Sequence, residues 1–179
     1  MGTRQKILDT ALRLFNQDGT AEISTNHIAE ACGISPGNLY YHYRNKQEII
    51  RELFQRMYAV WDKGLPMPQD RAPTLDDLKT VVQTNYQIIW EYRFAYRELV
   101  ALLHQDTELR QGFLAVRQRG FDGFYRLFSA FVAGGVFRPP DLVAGQQRRV
   151  ARIERVHPVV AADAELAPDG HRLQIAPRQ

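Results

Sequence analysis

The chain has 179 residues and a single cysteine, Cys32, so it can form neither an intrachain disulfide nor a zinc-type cysteine cluster. A reducing compartment suits such a chain, and the expected location is cytoplasmic. No apolar run approaches the roughly 18 residues of a membrane span. The first thirty residues carry scattered charges where a secretory leader would show a basic start and an apolar core, so a soluble, unexported protein with no membrane partner is expected. Charge of one sign is also scarce. The formal charge is +3, and up to Lys63 eight basic side chains stand against seven acids. Any affinity for nucleic acid must therefore come from pattern and not from bulk charge. The five histidines lack ligand spacing: His27 and His42 fall on different helices, and His157 and His171 lie near the C terminus. Neither a metal nor a cofactor is expected. There is no inward carboxylate pair, no nucleophile elbow and no glycine-rich phosphate loop, so the chain does not read as an enzyme. Nor does any segment show a convincing strand pattern.

What the chain does have is apolar residues at helical spacing. With 45% hydrophobic and 11% aromatic residues it can bury a core. Ile7, Leu8, Ala11, Leu12, Leu14 and Phe15 form one stripe from Thr3 to Gln17, stopped at Asp18-Gly19. Ser24-Thr25 offers hydroxyl caps for a short second helix with Ile28, Ala29 and Cys32 inward, and Gly33 supplies the left-handed residue that ends it. Ser35 caps a third helix opening with Pro36, with Leu39 and Tyr43 on its inner face. A fourth runs from Lys46 to Asp62 over Ile49, Ile50, Leu53, Phe54, Met57 and Trp61. Three prolines between Gly64 and Pro73 mark a linker. Beyond it, Leu78, Val81, Val82, Tyr86, Ile89 and Trp90 predict a helix from Thr74 that breaks near Tyr92 to Phe94. A further helix runs through Leu99 to His104, and Asp106-Thr107 starts a long one that ends at Gly134-Gly135.

The second and third helices meet the demands of a helix-turn-helix. Ala29 is small enough for a close crossing, Gly33 opens the turn, Ile34 plugs it and Leu39 anchors the second member. A packed helical hairpin without DNA would satisfy the same four positions. The outer face of the third helix distinguishes the two. A bland solvent face would be Lys and Glu, whereas Pro36, Gly37, Asn38, Tyr40, Tyr41 and His42 offer donors, aromatic surface and close backbone approach for phosphates, base edges and thymine methyls. Lys46, at the positive end of the fourth helix, can meet a phosphate.

The run TNHIAEACGISPGNLYYHYRNKQEII, with the preceding helix and Phe15, resembles the DNA-binding signature of the tetracycline-repressor (TetR) family over Thr3 to Phe54. The resemblance implies an all-α fold with an N-terminal three-helix DNA-binding domain and a helical regulatory domain. It places Thr25, Ser35, Asn38, Tyr40, His42 and Lys46 at phosphate-contacting positions, and Pro36, Gly37 and Tyr41 at base edges. The implied partners are double-stranded DNA with a palindromic operator, an apolar small-molecule effector and a second copy of the chain. The segment WEYRFAYREL further resembles a TetR subgroup that includes a polyhydroxyalkanoate regulator. On that likeness Tyr86, Trp90, Phe94, Tyr96, Leu103, Phe113, Phe124 and Phe128 surround the interior of the regulatory domain, with Arg97 and His104 as polar effector contacts. Each of these residues also suits an ordinary core.

The expected organisation is a reading head at 1–46, a connecting fourth helix at 47–63, a linker at 64–73, an effector and dimerisation domain at 74–137, and an atypical tail at 138–179. All nineteen aromatic residues lie at or before Phe137, and the tail is Ala, Arg, Val, Pro and Asp. That composition is what a change of reading frame in a GC-rich gene would write, an expectation that recovery of native peptides from 138–179 would overturn. It falls where family members carry two final helices, so impaired dimerisation is expected. Two other classes compete: a helical ligand-binding protein without DNA binding, which predicts a degenerate third helix, and an all-helical enzyme.

Overall fold

The computed structural model describes residues 2–63 and 71–137. The first helix, α1 (Thr3–Asp18), buries Ile7, Leu8, Ala11 and Phe15 and closes on Gly19, which turns at φ 87° and returns its N–H to the Phe15 carbonyl. The second, α2 (Thr25–Cys32), is capped by Ser24, whose hydroxyl accepts from the His27 N–H at 3.2 Å while His27 Nδ1 accepts from the Ser24 N–H at 3.3 Å. This is a capping box with histidine in the place usually held by Glu or Gln. Gly33 follows at φ 64°, ψ 37°, and the Ile34 N–H reaches the Ala29 carbonyl at 3.0 Å. Ser35 then caps α3 (Pro36–His42), accepting from the Asn38 N–H at 3.2 Å, with Pro36 as the first helical residue.

Each of these turns has the residue its backbone requires. A Cβ on Gly33 would meet nothing within 4 Å, so Gly33→Val should pay for its left-handed φ alone. The expected loss is about 1–3 kcal/mol, visible as a lowered melting temperature. Gly33→Asn should lose less, because asparagine tolerates that region. Equal stability of the valine variant and the parent would mean the turn has rearranged.

The inner face of α3 is Leu39, fully buried, with Tyr43 at the helix end 2% exposed. The Tyr43 hydroxyl accepts from Arg4 Nε at 3.1 Å, and Arg4 pairs with Glu52 at 2.6 Å, so the start of α1, the end of α3 and α4 (Lys46–Lys63) are joined at one point. Burial pushes the Tyr43 phenol up to about 12, against the lowering pull of Arg4. Along α4 the buried residues are Ile49, Ile50, Leu53, Phe54, Met57 and also Tyr58.

Among the described residues four helices follow: α5 (Leu75–Glu91), α6 (Arg93–Arg97), α7 (Leu99–Gln105) and α8 (Thr107–Ala133). Thr74 caps α5 reciprocally with Asp77. The predicted apolar stripe on α5 is out of phase. The helix buries Val81 and Ile88 and leaves Val82, Tyr86, Ile89 and Trp90 exposed. Its apolar residues cover more than half the circumference, so periodicity alone could not say which part finds a partner. The predicted break at Tyr92 is present, but a second at Glu98 makes Arg93–Arg97 a short helix of its own. Asp106 caps α8, accepting from the Leu109 N–H at 3.0 Å and from Arg51 Nε at 2.7 Å. Burial alone would raise its carboxyl, yet Arg51 and the helix N–H groups hold it below the usual carboxylate range.

The core runs between α1, α4 and α6. Phe94 sits 5.5 Å from Phe15 and 6.2 Å from Phe54, ring to ring, and all three are fully buried. A smaller cluster of Val81, Leu127 and Phe131 closes α5 onto α8. The described residues fall within one compact unit ending at Phe137. The fold is all-α, and no described residue lies in a strand. No described helix is long and apolar enough to cross a membrane. The tail at 138–179 and most of the linker lie outside the described residues.

Candidate nucleic-acid interface and adjoining cavity

The tight turn at Gly33 and the buried Leu39 and Tyr43 leave the opposite side of α3 turned outward. Pro36, Gly37, Asn38, Tyr40 and Tyr41 are all exposed, Tyr41 at 85%, while His42 is half-buried with its ring edge-on to Tyr41 at 5.2 Å. Ser35 is also exposed, although its hydroxyl is engaged as the cap of α3. Thr25, at the start of α2, lies with its hydroxyl 3.0 Å from that of Tyr40. Two residues fifteen positions apart thus form one polar edge where the N terminus of α2 meets α3. Tyr41 buries little within the chain, and its hydroxyl and ring, with the outer half of Tyr40, face outward where an external polyanion could meet them.

Lys46 carries an internal bond besides its expected role. Its ammonium donates to the Thr20 carbonyl at 2.5 Å and is half-buried, so part of its donor capacity ties α4 to the α1–α2 loop. Arg44, not singled out from the sequence, is exposed in the turn between α3 and α4, and its guanidinium has no partner among the described residues. Arg44 lies between the helices and belongs to the periodic pattern of neither, so only its exposure in the turn marks it.

A cavity of about 480 Å³ opens between α4, α5, α8 and the α6–α7 segment. Of the expected effector residues it gathers Tyr96, Phe113 and Phe124. The others lie elsewhere. Tyr86, Trp90 and Phe128 are 70%, 73% and 48% exposed, because α5 and α8 turn those faces away from each other. Phe94 and Leu103 are core residues, and His104 is exposed. Arg97 donates to the Phe15 and Asn16 carbonyls, both at 3.1 Å. Trp61, read from sequence as core, borders the cavity, as do Thr84, Asn85, Leu99, Val116 and three arginines of α8. Those arginines follow no motif. Only the packing of α8 against α4 and α5 shows which of its charges meet the opening.

Between cavity and head lies a clamp that sequence reasoning missed. Asn16, 7% exposed, donates to the Glu91 carbonyl at 2.7 Å and accepts the Phe94 N–H at 3.0 Å. Glu98 accepts from the Thr20 N–H at 3.1 Å and from its hydroxyl at 2.5 Å. The segment flanking α6 therefore grips the C-terminal end of α1 by four residues, and the cavity-lining Tyr96 sits in the middle of that segment. The partners are about 75 to 82 positions apart, and asparagine, threonine and glutamate at helix ends have too many ordinary uses for such pairings to be legible in sequence.

A family model described as bacterial regulatory proteins of the tetR family matches residues 7–53, and one described as a bacterial transcriptional repressor matches residues 44–151. The HTH-type transcriptional regulator AcrR of Shigella flexneri is 43% identical over 53 residues, covering 30% of this chain and 25% of that protein. The HTH-type transcriptional repressor KstR2 of Rhodococcus jostii is 28% identical over 140 residues, covering 70% and 69%. The match thus spans only a quarter of the first relative's length. A crystal structure of a TetR-family transcriptional regulator from Marinobacter aquaeolei superposes with a TM-score of 0.76 at 42% identity, over 79% of this chain and 70% of that one. A second family model covering more than half the chain, a close structural relative and an intact helix-turn-helix agree: the chain belongs to the tetR family of bacterial transcriptional regulators, with that family's DNA-binding head at its N terminus.

Proposed function

We propose that this protein is a cytoplasmic, ligand-responsive transcriptional repressor that binds a palindromic operator as a homodimer, and that it catalyses no reaction. The observation that carries this reading is the outward face of α3: five consecutive-turn positions, Pro36, Gly37, Asn38, Tyr40 and Tyr41, all exposed on a helix whose other side is locked into the head. In this reading 1–46 is the head, 47–63 the connecting helix, 64–73 the linker and 74–137 the effector and dimerisation part. The boundaries mark roles within one compact unit. Membership of the subgroup containing the polyhydroxyalkanoate regulator rests on residues 90–99 alone.

The cavity and the clamp support ligand response. A molecule entering beside Tyr96 presses on the segment whose neighbours Arg97 and Glu98 hold the end of α1, and so biases where the head sits. Phe121, Tyr125 and Phe128, exposed at spacings of four and three along α8, form an apolar face that supports association with a second copy. The tail's composition departs from the family where the rest of that interface belongs. Sedimentation at micromolar concentration is therefore expected to show heterogeneous association, and a single clean dimer would show that 138–179 completes the interface.

A gel-shift assay with the DNA upstream of the gene tests the whole reading, since an enzyme or a DNA-blind binding protein gives no specific shift. Within it, Lys46→Ala is expected to lower the salt dependence of operator binding by roughly one unit per head. Loss of its bond to Thr20 should also reduce stability by about 1 kcal/mol. An unchanged salt slope with helicity intact would leave Lys46 a purely internal tie.

A further inference from the structure

The walls of the cavity are the apolar side chains of Leu99, Phe113, Val116 and Phe124 and the rings of Trp61 and Tyr96. Its charged groups are unbalanced: Arg117, Arg119 and Arg126 against the single Asp62. Arg119 is committed to Asp62, with its Nη2 3.1 Å from the carboxylate. That leaves Arg117 and Arg126, both exposed, with no anion among the described residues, at the edge of a hollow whose only other polar side chains are Thr84, Asn85 and the Asp62–Arg119 pair. A second observation lies deeper. Trp61 Nε1 and the Tyr96 hydroxyl are sealed from solvent and have no hydrogen-bond partner, and the two rings meet edge-on at 6.4 Å. An indole N–H can only donate. Burial pushes the Tyr96 phenol up to about 12, so it too keeps its proton.

A hydrocarbon would leave both donors unpaired and both arginines unanswered, and an amine would add charge of the sign already in excess. An anion that only accepts hydrogen bonds meets both conditions, and its attraction to the arginines is strengthened by the low-dielectric walls. Resting on the reading of this cavity as the effector site, we propose that its ligand class is the small organic carboxylates, compact acids with an apolar body. The body lies against the aromatic walls and the charge is answered by Arg117 and Arg126, while the Trp61 N–H and Tyr96 hydroxyl behind those walls offer only donors to any ligand oxygen that displaces their rings.

The test uses the full chain with 4-phenylbutyrate and octanoate, each beside its methyl ester and the primary amine of the same skeleton, read by thermal shift and titration calorimetry. The acids should bind at least tenfold more tightly than the esters, and the amines not at all. Arg117→Ala combined with Arg126→Ala should weaken the acids roughly tenfold or more and leave the esters unchanged. Gly120 borders the cavity, and a Cβ there would meet nothing within 4 Å. Gly120→Leu should therefore intrude on the space, melt no lower than the parent because leucine favours the helix, and weaken binding of the acids and the esters alike at least tenfold. Failure of both acids to bind, esters or amines binding as well as acids, or acids indifferent to the arginines, overturns the carboxylate class. If that happens while Gly120→Leu still weakens the esters, the cavity remains a ligand site. Acid binding undiminished in a folded Gly120→Leu overturns both the class assignment and the effector reading of the cavity.

Discussion

Phe94→Ala is expected to cost roughly 3–5 kcal/mol, a large share of the 5–15 kcal/mol that holds a typical domain together. Phe94 is fully buried between Phe15 of α1 and Phe54 of α4, so its removal opens a void where three helices meet, and the backbone around it is pinned. The Phe94 N–H is held by Asn16, which keeps the segment from closing in to fill the space. Chemical denaturation should show a lowered midpoint with little change in slope. Trp90→Ala, only four positions earlier, should cost no more than about 1 kcal/mol, since Trp90 is 73% exposed and its ring is met by the Arg93 guanidinium at 5.1 Å. Similar losses for the two variants would mean that the outer face of α5 is covered in solution.

Tyr41→Ala should do the opposite, leaving stability within about 0.5 kcal/mol of the parent while sharply weakening operator binding. Tyr41 is 85% exposed, so the side chain has almost nothing to lose inside the protein. A base-edge contact contributes about 1–3 kcal/mol of discrimination. On the proposed reading two copies make it in both half-sites, so operator affinity should fall by at least roughly 30-fold while affinity for unrelated DNA falls much less. Fluorescence anisotropy with an operator and a scrambled duplex measures both. An operator affinity that does not move, in a protein that melts normally, would remove Tyr41 from the recognition surface.

These two expectations stand on different ground. The exposure of Tyr41 was readable from the chain itself, because everything that orients α3 is local. Ser24 and Ser35 cap within three residues, Gly33 adopts its left-handed turn without help, and Leu39 and Tyr43 lie one turn apart on the same side. Such features depend on backbone sterics and hydrogen bonds spanning a handful of positions, and they look the same in the sequence as in the fold. The family's motif is a list of those local requirements, which is why it was visible.

The role of Phe94 was not readable in that way. Sequence placed it with Trp90 and Tyr86 around an interior, yet one is core, two are surface, and the cavity took Trp61 and the α8 arginines in their stead. For Lys46 the fold adds to its expected phosphate role a bond to the Thr20 carbonyl that no local pattern records. The clamp of Asn16, Thr20, Arg97 and Glu98 joins residues about 75 to 82 positions apart and was not foreseen at all. By itself the chain determined that it is helical, where its first helices begin and end, and which side of α3 faces outward. The tertiary structure alone decided which apolar face of α5 is buried, which side chains border the cavity and how that cavity is tied to the head. A helix with apolar residues over more than half its circumference can bury any of several faces at similar gain, and the choice depends on distant partners that no local period records.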